Sequence, residues 1–274
     1  MSTSSDLETA LDIRDMRLIS WNVNKRVKES LRRQVEALAE RGPDVVALQE
    51  VTTTTALTFP ALLESIGLSH VQTSRVLAEH DPRNPAPPNA GILIASRWPF
   101  RILPPSEFPI PWPHCVLSVV LDSPSGEVEL HAAHVPNGTT YRWKKVETFE
   151  GIFRRLARES EVPRILCGDF NSPKEEWTDG TVIPWGENKR RWADAELSVI
   201  QGLAEFDLAD VYRSLHGYGR TDFSWYWRVR SIGRRFDHVF ASRSLNAVEC
   251  AYLHSFREAG LSDHSPIEVR FAPA

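Results

Sequence analysis

RLISWNV at residues 17–23 and DVVALQE at residues 44–50 decide the fold class of this chain. Each is a short apolar run of the kind that forms a buried strand. The segment between them carries apolar residues at helical spacing: Val27, Leu31, Val35, Leu38 and Ala39. A Gly-Pro pair at residues 42 and 43 ends this predicted helix. A strand, a helix and a strand within about thirty residues form the pattern of a βαβ unit, which predicts an α/β protein whose sheet is covered by helices.

The remainder of the chain alternates between the same two kinds of pattern. Helical spacing predicts helices at residues 61–66, 146–156 and 194–205. Apolar runs predict strands at residues 91–96, 115–121, 127–135, 164–167, 236–241, 247–254 and 266–271. Residues 123–126 (SPSG) predict a hairpin turn, and the Pro-rich residues 79–91 predict a loop. We expect one domain over residues 16–274, preceded by a flexible N-terminal tail at residues 1–15.

The composition is that of an ordinary soluble globular protein. Hydrophobic residues make up 42% of the 274 residues and charged residues 25%, with a formal net charge of -4. These values exclude a disordered chain and a strongly basic nucleic-acid coat, although not a local basic groove. Three cysteines without CxxC spacing favour a reducing compartment, and we expect the cytoplasm. No apolar run approaches the ~20 residues that span a bilayer, so no membrane partner is expected; no obligate protein partner is evident either.

The polar residues that can carry chemistry stand at the ends of the apolar strands. They are Asn22, Asn24, Glu50, His134, Asp169, Asn171, Asp237, His238, Asp263 and His264. Loops at the edge of a rigid sheet are where functional side chains collect. If these edges face one another, several carboxylates share one cleft, and charges about 4 Å apart interact by roughly 4 kcal/mol at an effective dielectric near 20. The oxygen ligands therefore predict a hard divalent cation, Mg²⁺ or Mn²⁺.

Each of these residues has a plainer explanation when it is taken alone. An acid after a strand is commonly a helix cap or a turn residue, and Asn22 can close an Asx turn. His134 alone can be a hydrogen-bonded histidine of the core or rim. The two-residue period of a strand places Asp237 and His238 on opposite faces, so only one of them should enter a cleft.

Six short blocks lie in order along the chain, and together they resemble the endonuclease/exonuclease/phosphatase superfamily. That superfamily includes exonuclease III-type AP endonucleases, deoxyribonuclease I, neutral sphingomyelinases and inositol phosphate 5-phosphatases. The blocks are SWNVN at 20–24, LQE at 48–50, HVPNG at 134–138, GDFNSP at 168–173, RFDHVFAS at 235–242 and SDHSPI at 262–267. The resemblance implies a single catalytic domain built as a two-sheet β-sandwich flanked by helices, in four layers (α/β/β/α), with the active site at one end of the sheets.

The resemblance implies a metal site. Glu50, with Asn22 and Asp263 near it, matches the positions that bind the divalent ion in the superfamily. Asn24 stands where AP endonucleases often have Asp, and it is a candidate for contacting the substrate.

The resemblance also implies catalytic roles. Asp169 matches the acid that orients or deprotonates the attacking water, and Asn171 matches the amide that helps to hold that water and the phosphate. His264 matches the catalytic histidine beside the scissile phosphate, and Asp237 matches the acid that orients its ring. An Asp behind a His fixes the tautomer and favours the protonated ring. Whether Asp169 or His264 takes the proton stays open.

Two features resemble the nuclease branch in particular. HVPNG is similar to the YVPNG block of exonuclease III-type enzymes, in which Asn137 matches a phosphate contact. The segment 223–240 also resembles theirs and supplies further candidates for substrate binding: Trp225, Trp227, Arg228 and Arg234. Aromatic faces can stack on bases while Arg contacts phosphate. The alternative for these aromatic residues is the core of a sheet.

Two departures separate the chain from a standard AP endonuclease. Val51 and Thr52 follow LQE where AP endonucleases commonly continue with Thr-Lys, so the usual lysine near the site is missing. His134 replaces the Tyr of the YVPN block. A histidine at this strand end is similar to the deoxyribonuclease I and sphingomyelinase branches, where it contacts phosphate or acts as a general acid.

The remaining basic residues occur in short groups, at 32–33, 144–145 and 189–191. Such groups are typically solvated surface. The long segment 171–191, with Trp177 and Trp185, directly follows the GDFN block, and we expect it to border the substrate groove.

Three functions compete at this point. The leading hypothesis is a Mg²⁺-dependent phosphodiesterase that hydrolyses nucleic acid, with DNA as substrate. The second is a metal-dependent phosphatase or phosphodiesterase of a small phosphorylated metabolite or lipid headgroup. The third is a catalytically inactive nucleic-acid-binding module, which the complete set of acids and His264 disfavours.

Overall fold

The computed structural model describes residues 15–74 and 90–273. Residues 1–14 of the predicted tail and residues 79–89 of the predicted loop lie outside the described residues. Asp15, the last residue of the predicted tail, forms an ion pair with Arg270 on the terminal strand.

Strands and helices alternate along the described residues. The strands are β1 (Met16–Asn22), β2 (Val45–Val51), β3 (His70–Thr73), β4 (Gly91–Ser96), β5 (Phe100–Ile102), β6 (Val116–Ser123), β7 (Gly126–His134), β8 (Arg164–Asp169), β9 (Glu175–Glu176), β10 (Val182–Ile183), β11 (Ala209–Asp210), β12 (Trp225–Trp227), β13 (Ile232–Arg234), β14 (Asp237–Ala241), β15 (Ala247–Tyr252) and β16 (Ile267–Phe271). The helices are α1 (Glu29–Arg41), α2 (Thr53–Glu64), α3 (Gly138–Tyr141), α4 (Trp143–Leu156), α5 (Arg190–Ile200), α6 (Val211–His216) and α7 (His254–Glu258).

Two mixed sheets of six strands form the centre of the fold. The first has the order β15-β16-β1-β2-β4-β3, and the second has the order β11-β14-β8-β7-β6-β5. In each sheet one parallel pair, β1 with β2 and β7 with β8, lies among antiparallel neighbours. Two small hairpins, β9–β10 and β12–β13, stand apart from the large sheets.

The buried residues fall into three layers, which explains why the central strands read as unbroken apolar runs. Along β1, Leu18 packs in the core between the two sheets, whereas Ile19 and Trp21 pack under α1 and α2 on the outer face. A third cluster joins α4 and α5 to the outer face of the second sheet. A strand covered on both faces needs no polar alternation. The predicted four-layer α/β/β/α sandwich is therefore confirmed.

The ends of several central strands lie side by side at one edge of the sandwich. His134 at the end of β7 pairs in register with Asp169 at the end of β8. Asp169 in turn pairs with Asp237 at the start of β14. In the first sheet, Asn22 pairs with Gln49, and Glu50 follows. The fold thus brings separate blocks of the sequence to a single edge.

Several boundaries differ from the predictions. The first helix begins at Glu29, so Val27 is exposed, and Ala39 also faces solvent. The second helix begins at Thr53 rather than at 61, because Thr52 and Thr55 form a reciprocal capping box at its start. The hairpin turn at residues 123–126 is confirmed, since Ser123 pairs with Gly126. No helix within residues 15–74 and 90–273 is long and apolar enough to cross a bilayer.

Candidate active site

Asp169 is the hub of the polar residues at this edge. Its side chain is buried, and its Oδ1 accepts a hydrogen bond from the Asn171 backbone N–H at 2.8 Å. Its Oδ2 accepts one from the Asn22 side-chain amide at 2.9 Å. The Nε2 atoms of His134 and His264 each lie 3.9 Å from this same Oδ2. Such a distance exceeds a direct hydrogen bond, but one polar atom placed between the two groups can contact both.

Asn22 has two partners that explain its position. Its Oδ1 accepts the N–H of Asn24 at 3.0 Å, which closes the Asx turn anticipated from the sequence. Its amide donates to Asp169 across the gap between the two sheets. These contacts make Asn22 an anchor for Asp169. Asn24, at a positive φ of 50°, belongs to the same turn and is not among the residues that line the cleft in the described part of the chain.

His264 and Asp237 form a buried pair. His264 Nδ1 donates to Asp237 Oδ2 at 2.7 Å, which leaves Nε2 on the side of Asp169. Burial lowers the pKa of His264, but the negative charges of Asp237 and Asp169 and the hydrogen bond to Asp237 outweigh it and raise the pKa to about 10. An imidazolium in this position has one nitrogen fixed and the other free to act on a phosphate.

The segment that carries His264 is tied to the first strand. Ser262 Oγ donates to the Asn22 carbonyl oxygen at 2.6 Å, and it accepts the N–H of His264 at 3.2 Å. Trp21 Nε1 donates to the His264 carbonyl oxygen at 3.1 Å. Trp21 is fully buried, so its indole fixes this segment from the core side. Only the position of Trp21 next to Asn22 pointed to this role in the sequence.

His238 faces away from the cleft, as the strand period predicts. Its Nδ1 lies 3.0 Å from Asp210 Oδ2, and its Nε2 lies 2.8 Å from the Ser172 carbonyl oxygen. Asp237, its neighbour, points toward His264. His238 therefore contacts the GDFNSP segment on the side that faces away from the cleft.

Glu50 offers a partly open carboxylate at the end of β2. It sits at an irregularity in the β2–β4 pairing with a positive φ of 58°. Its Oε2 lies 3.5 Å from Lys25 Nζ, and its Oε1 lies 3.8 Å from His134 Nε2. Because the side chain is only 19% exposed, it faces the cleft rather than bulk solvent. Asp263 is exposed and lines the same cleft.

The donor set fits a hard divalent ion. Asp169, Asp237 and His264 place ligand atoms within 4.8 Å of one another. Among the described residues, Asp237 Oδ1 is buried without a hydrogen-bond partner. Asp169 and Asp237 are buried, so Glu50 and Asp263 are the acids of the cleft whose carboxylates are most accessible. Carboxylate oxygens without a thiolate suit Mg²⁺ or Mn²⁺ rather than a soft metal.

Two lysines at the site were not foreseen from the sequence. Lys25 Nζ lies 3.5 Å from Glu50 Oε2, so a lysine is near the site although none directly follows LQE. Lys145, expected on a solvated surface, is 1% exposed, so that expectation was wrong. Its Nζ donates to the Asn171 carbonyl oxygen at 2.8 Å and pairs with Glu196 at 3.1 Å. A usable signal was present, because Lys145 precedes Phe149 by one helical turn on the apolar stripe of α4.

The site opens into a cleft of about 790 Å³. The predicted residues that line it are Asn22, Glu50, His134, Asn137, Asp169, Asn171, Trp225, Trp227, Arg234, Asp263 and His264. Asn137 caps α3 by accepting the N–H of Thr139 at 2.8 Å. The side chain of Arg228 lies outside the described part of the structure. Arg32, Arg33 and residues 189–191 are exposed, as expected.

The aromatic residues of the segment 223–240 lie on the rim of the cleft. Trp225 and Trp227 belong to the β12–β13 hairpin, and Trp227 is 40% exposed, so the alternative of a sheet core does not hold for it. The backbone of Trp225 bridges to His264, which places the hairpin against the edge that carries Asp169 and His264. Arg234 Nη2 lies 3.6 Å from Glu175 on the neighbouring hairpin.

Solved structures of other proteins share this architecture. An AP endonuclease from Archaeoglobus fulgidus superposes with a TM-score of 0.70 at 20% identity, covering 93% of this chain and 99% of that chain. A 3′ phosphatase from Neisseria, bound to a product DNA hairpin, gives 0.67 at 20% identity over 93% and 99%. An endonuclease/exonuclease/phosphatase protein from Beutenbergia cavernae DSM 12333 gives 0.62 at 23% identity over 95% and 72%. At these identities the likeness shows the fold.

The sequence itself supplies the family. A sequence model described as the Endonuclease/Exonuclease/phosphatase family matches residues 19–264, from the middle of β1 to the histidine paired with Asp237. Members of that family are hydrolases that act on phosphoester bonds, generally with a divalent metal ion. With its sandwich and its cluster of acids and histidines, the chain belongs to the endonuclease/exonuclease/phosphatase family.

Proposed function

We propose that this protein is a Mg²⁺- or Mn²⁺-dependent phosphodiesterase that hydrolyses phosphodiester bonds of nucleic acid, with DNA as the leading substrate. The observation that carries the proposal is the buried Asp237–His264 pair, whose free Nε2 faces Asp169 beside an open cleft. Hydrolysis of a phosphodiester needs a proton acceptor for water and a cationic group at the phosphate or the leaving oxygen. Asp169 supplies the proton acceptor and His264 the cationic group, and their facing atoms lie 3.9 Å apart.

The geometry supports a division of labour between them. His264 Nδ1 is committed to Asp237, so the ring presents an N–H at Nε2 when it is protonated, and it acts as an acid and phosphate partner. Asp169 is held by Asn22 and by the Asn171 N–H, so that its carboxylate is oriented to accept the proton of the attacking water. Preorganised hydrogen bonds of this kind cost no rearrangement during the reaction.

His134 and Asn171 complete the phosphate site in this proposal. His134 Nε2 lies between Glu50 and Asp169, at 3.8 and 3.9 Å. From there it can donate to a phosphoryl oxygen or to the leaving group. The Asn171 side-chain amide donates to the Val135 carbonyl oxygen at 3.0 Å, which fixes the side chain next to His134.

Glu50 and Asp263 are the proposed ligands of the divalent ion, and Asn22 acts as the residue that positions Asp169. A bound Mg²⁺ or Mn²⁺ neutralises charge on phosphoryl oxygens and offsets the repulsion among the acids of the cleft. Lys25, at 3.5 Å from Glu50, holds that carboxylate in place.

A substrate panel tests the proposal. Purified protein is assayed with Mg²⁺ or Mn²⁺ on abasic duplex, intact duplex, single-stranded DNA, RNA and inositol phosphates, with Glu50→Ala as the blank. We expect cleavage of nucleic acid that Glu50→Ala abolishes, and binding that weakens steeply as salt rises through release of counterions. Hydrolysis of inositol phosphates with negligible binding of nucleic acid would instead establish the small-molecule alternative.

A further inference from the structure

Four aromatic rings form a continuous strip along one wall of the cleft. The ring centroid of Trp185 lies 6.4 Å from that of Phe236. Phe236 stacks on Trp225 at 5.5 Å with 25° between the ring planes. Trp225 lies 6.3 Å from Trp227. All four residues line the cleft, so the strip is part of its surface.

The strip runs outward from the catalytic edge. At its inner end, Trp185 Nε1 donates to the Asn171 carbonyl oxygen at 3.1 Å. In its middle, the backbone of Trp225 bridges to His264. At its outer end, the guanidinium of Arg230 lies 4.6 Å from the ring centroid of Trp227. A ligand bound along the strip therefore reaches the groups that are proposed to cleave the phosphodiester bond.

Two tryptophans of the strip keep much of their surface open. Trp185 is 46% exposed and Trp227 is 40% exposed, whereas Phe236 between them is 7% exposed. Neighbouring exposed aromatic residues beside a cleft typically mark a surface that binds a ligand. The buried Phe236 and the hydrogen bond of Trp185 hold the exposed rings in fixed positions, which lowers the entropic cost of binding.

Three basic residues at the cleft are paired with acids, whereas Arg230 lies over the ring of Trp227. Lys25 pairs with Glu50 at 3.5 Å, Arg234 with Glu175 at 3.6 Å and Lys145 with Glu196 at 3.1 Å. A long duplex is bound mainly through uncompensated cations along its phosphates. This cleft adds ring faces to its cations, and the ring faces of bases are accessible only where the bases are unpaired.

We propose that the aromatic strip binds unpaired bases of single-stranded nucleic acid by stacking and so delivers a single strand, or an unpaired end, to the catalytic edge. This inference rests on the proposed function and names the form of its substrate. Base stacking on aromatic side chains tolerates any sequence, because every base has a ring face. A duplex lacks accessible base faces and gains nothing from the strip.

Binding in EDTA, where no cleavage occurs, tests the strip directly. The probes are oligothymidylate and an oligomer of equal length built from tetrahydrofuran abasic units, which has the same phosphates and no bases. We expect oligothymidylate to bind about tenfold more tightly or better, with quenching of tryptophan fluorescence. Trp227→Ala should remove most of this difference, and Trp227→Phe should keep it because Phe also stacks.

Trp177→Ala is the matched control. Trp177 is 51% exposed on the same segment as Trp185, but it is outside the set of described residues that line the cleft. We expect it to retain the preference for oligothymidylate. Equal affinity of the wild type for the two oligomers, or an equal loss for both in Trp227→Ala, would overturn the inference.

Activity separates this inference from the proposed function. With Mg²⁺, Trp227→Ala should raise KM for single-stranded DNA about tenfold and leave kcat within about twofold, because stacking on a base stabilises the bound substrate and its transition state equally. Cleavage of duplex, combined with equal binding of oligothymidylate and the abasic oligomer, would overturn the role proposed for the strip. The proposed function would still hold. Absence of metal-dependent cleavage of every nucleic acid would overturn the proposed function, whatever the binding in EDTA shows.

Discussion

A single carboxylate, Asp169, connects the two sheets at the point where the chemistry is proposed to occur. Its oxygens accept hydrogen bonds from the side chain of Asn22, at the end of β1 in the first sheet, and from the backbone N–H of Asn171, in the loop that follows β8 in the second sheet. His264, from the connection before β16, faces the same Oδ2 as His134 does. Removal of either partner of the proposed proton transfer leaves the remaining group without its counterpart.

We expect Asp169→Asn and His264→Ala each to reduce Mg²⁺-dependent hydrolysis by about 100-fold or more, the usual size of a general acid or base contribution. Initial rates under saturating substrate measure this loss, and circular dichroism checks that the variants are folded. His70→Ala, on the edge strand β3, is the control and should retain wild-type rates. Turnover near that of the wild type in either variant of the site would contradict the assignment.

At the scale of the elements, Gly168 explains how β7 and β8 can end so close together. Its backbone has a positive φ of 138°, and a Cβ built on it would lie 1.8 Å from the Ala133 carbonyl oxygen. A side chain there would therefore push β8 away from β7, at the position next to Asp169. Only glycine allows the parallel pair to close at this point.

We expect Gly168→Ala to destabilise the protein severely, through both backbone strain and collision with β7. Gly42→Ala is the matched control: Gly42 also has a positive φ, of 57°, but a Cβ there meets nothing within 4 Å. It should cost only about 1–2 kcal/mol, the strain of a side chain in the left-handed region. Urea unfolding measures both changes, and similar losses in the two variants would contradict the proposed collision.

Helices α4 and α5 are joined by the buried Lys145–Glu196 pair, which also reaches the loop of the candidate site at Asn171. Lys145 Nζ donates to the Asn171 carbonyl oxygen, and Glu196 Oε2 accepts a hydrogen bond from the backbone N–H of Trp185 at 2.9 Å. Burial lowers the pKa of Lys145, and the charge of Glu196 opposes this shift. The pair therefore acts on stability and on the position of Asn171, which has a positive φ of 49°.

We expect Lys145→Met to cost about 3–5 kcal/mol of stability, since Glu196 is left as an uncompensated buried charge. The double variant Lys145→Met/Glu196→Gln should recover part of this stability but not the hydrolysis rate, because the Asn171 carbonyl oxygen still lacks its lysine donor. Lys144→Met removes the neighbouring exposed lysine and is the control. Recovery of both stability and kcat in the double variant would show that the role of Lys145 is purely structural.

The same elements show what the sequence could and could not predict. Apolar runs predicted the long central strands because burial on both faces leaves few polar residues in them, as in β1, β2 and β8. The start of α2 was missed because four successive threonines have low helix propensity, and the capping box at Thr52 and Thr55 stabilises the turn instead. The strands of the β12–β13 hairpin are three residues each, too short for a periodic pattern.

The candidate site was predicted to a similar degree. Polar residues at strand ends predicted the edge of the sandwich where the candidate site lies. The parallel strands β1 and β2 end on the same side, and so do β7 and β8. The partners of Lys145 and Trp21 could not be read from the sequence, since each contact joins residues far apart in the chain. The double role of Asn22, as turn residue and as donor to Asp169, needed both sheets in place.

At the scale of the whole molecule, buried acids compensated by cations set the response to pH. The close approach of His131, whose Nε2 lies 3.3 Å from Glu129 Oε2, together with the charges of Arg155 and Arg158, lowers the pKa of Glu129 to about 2, despite the opposing effect of burial. Burial raises the pKa of Glu176, but the charges and hydrogen bonds of Arg235 and Arg213 outweigh it and lower the pKa to about 2. Burial also raises the pKa of Asp210, but the charge of Arg235 and the hydrogen bond with His238 outweigh it and lower that pKa.

We therefore expect the contribution of these acids to stability to be complete from neutral pH down to about pH 5 and to be lost steeply between about pH 4.5 and pH 2. The folded pKa values of both glutamates lie below their unfolded values, so each contributes stability above the unfolded pKa and loses it as the pH falls through the folded pKa. Free energies of unfolding in urea at pH 7, 5, 4 and 3 measure the slope. In Glu176→Gln the stability at pH 7 should be lower, because Arg235 and Arg213 lose their charged partner, and the fall below pH 4.5 should be shallower by the contribution of one carboxylate. An unchanged slope in this variant would show that Glu176 is not among the groups that control unfolding in acid.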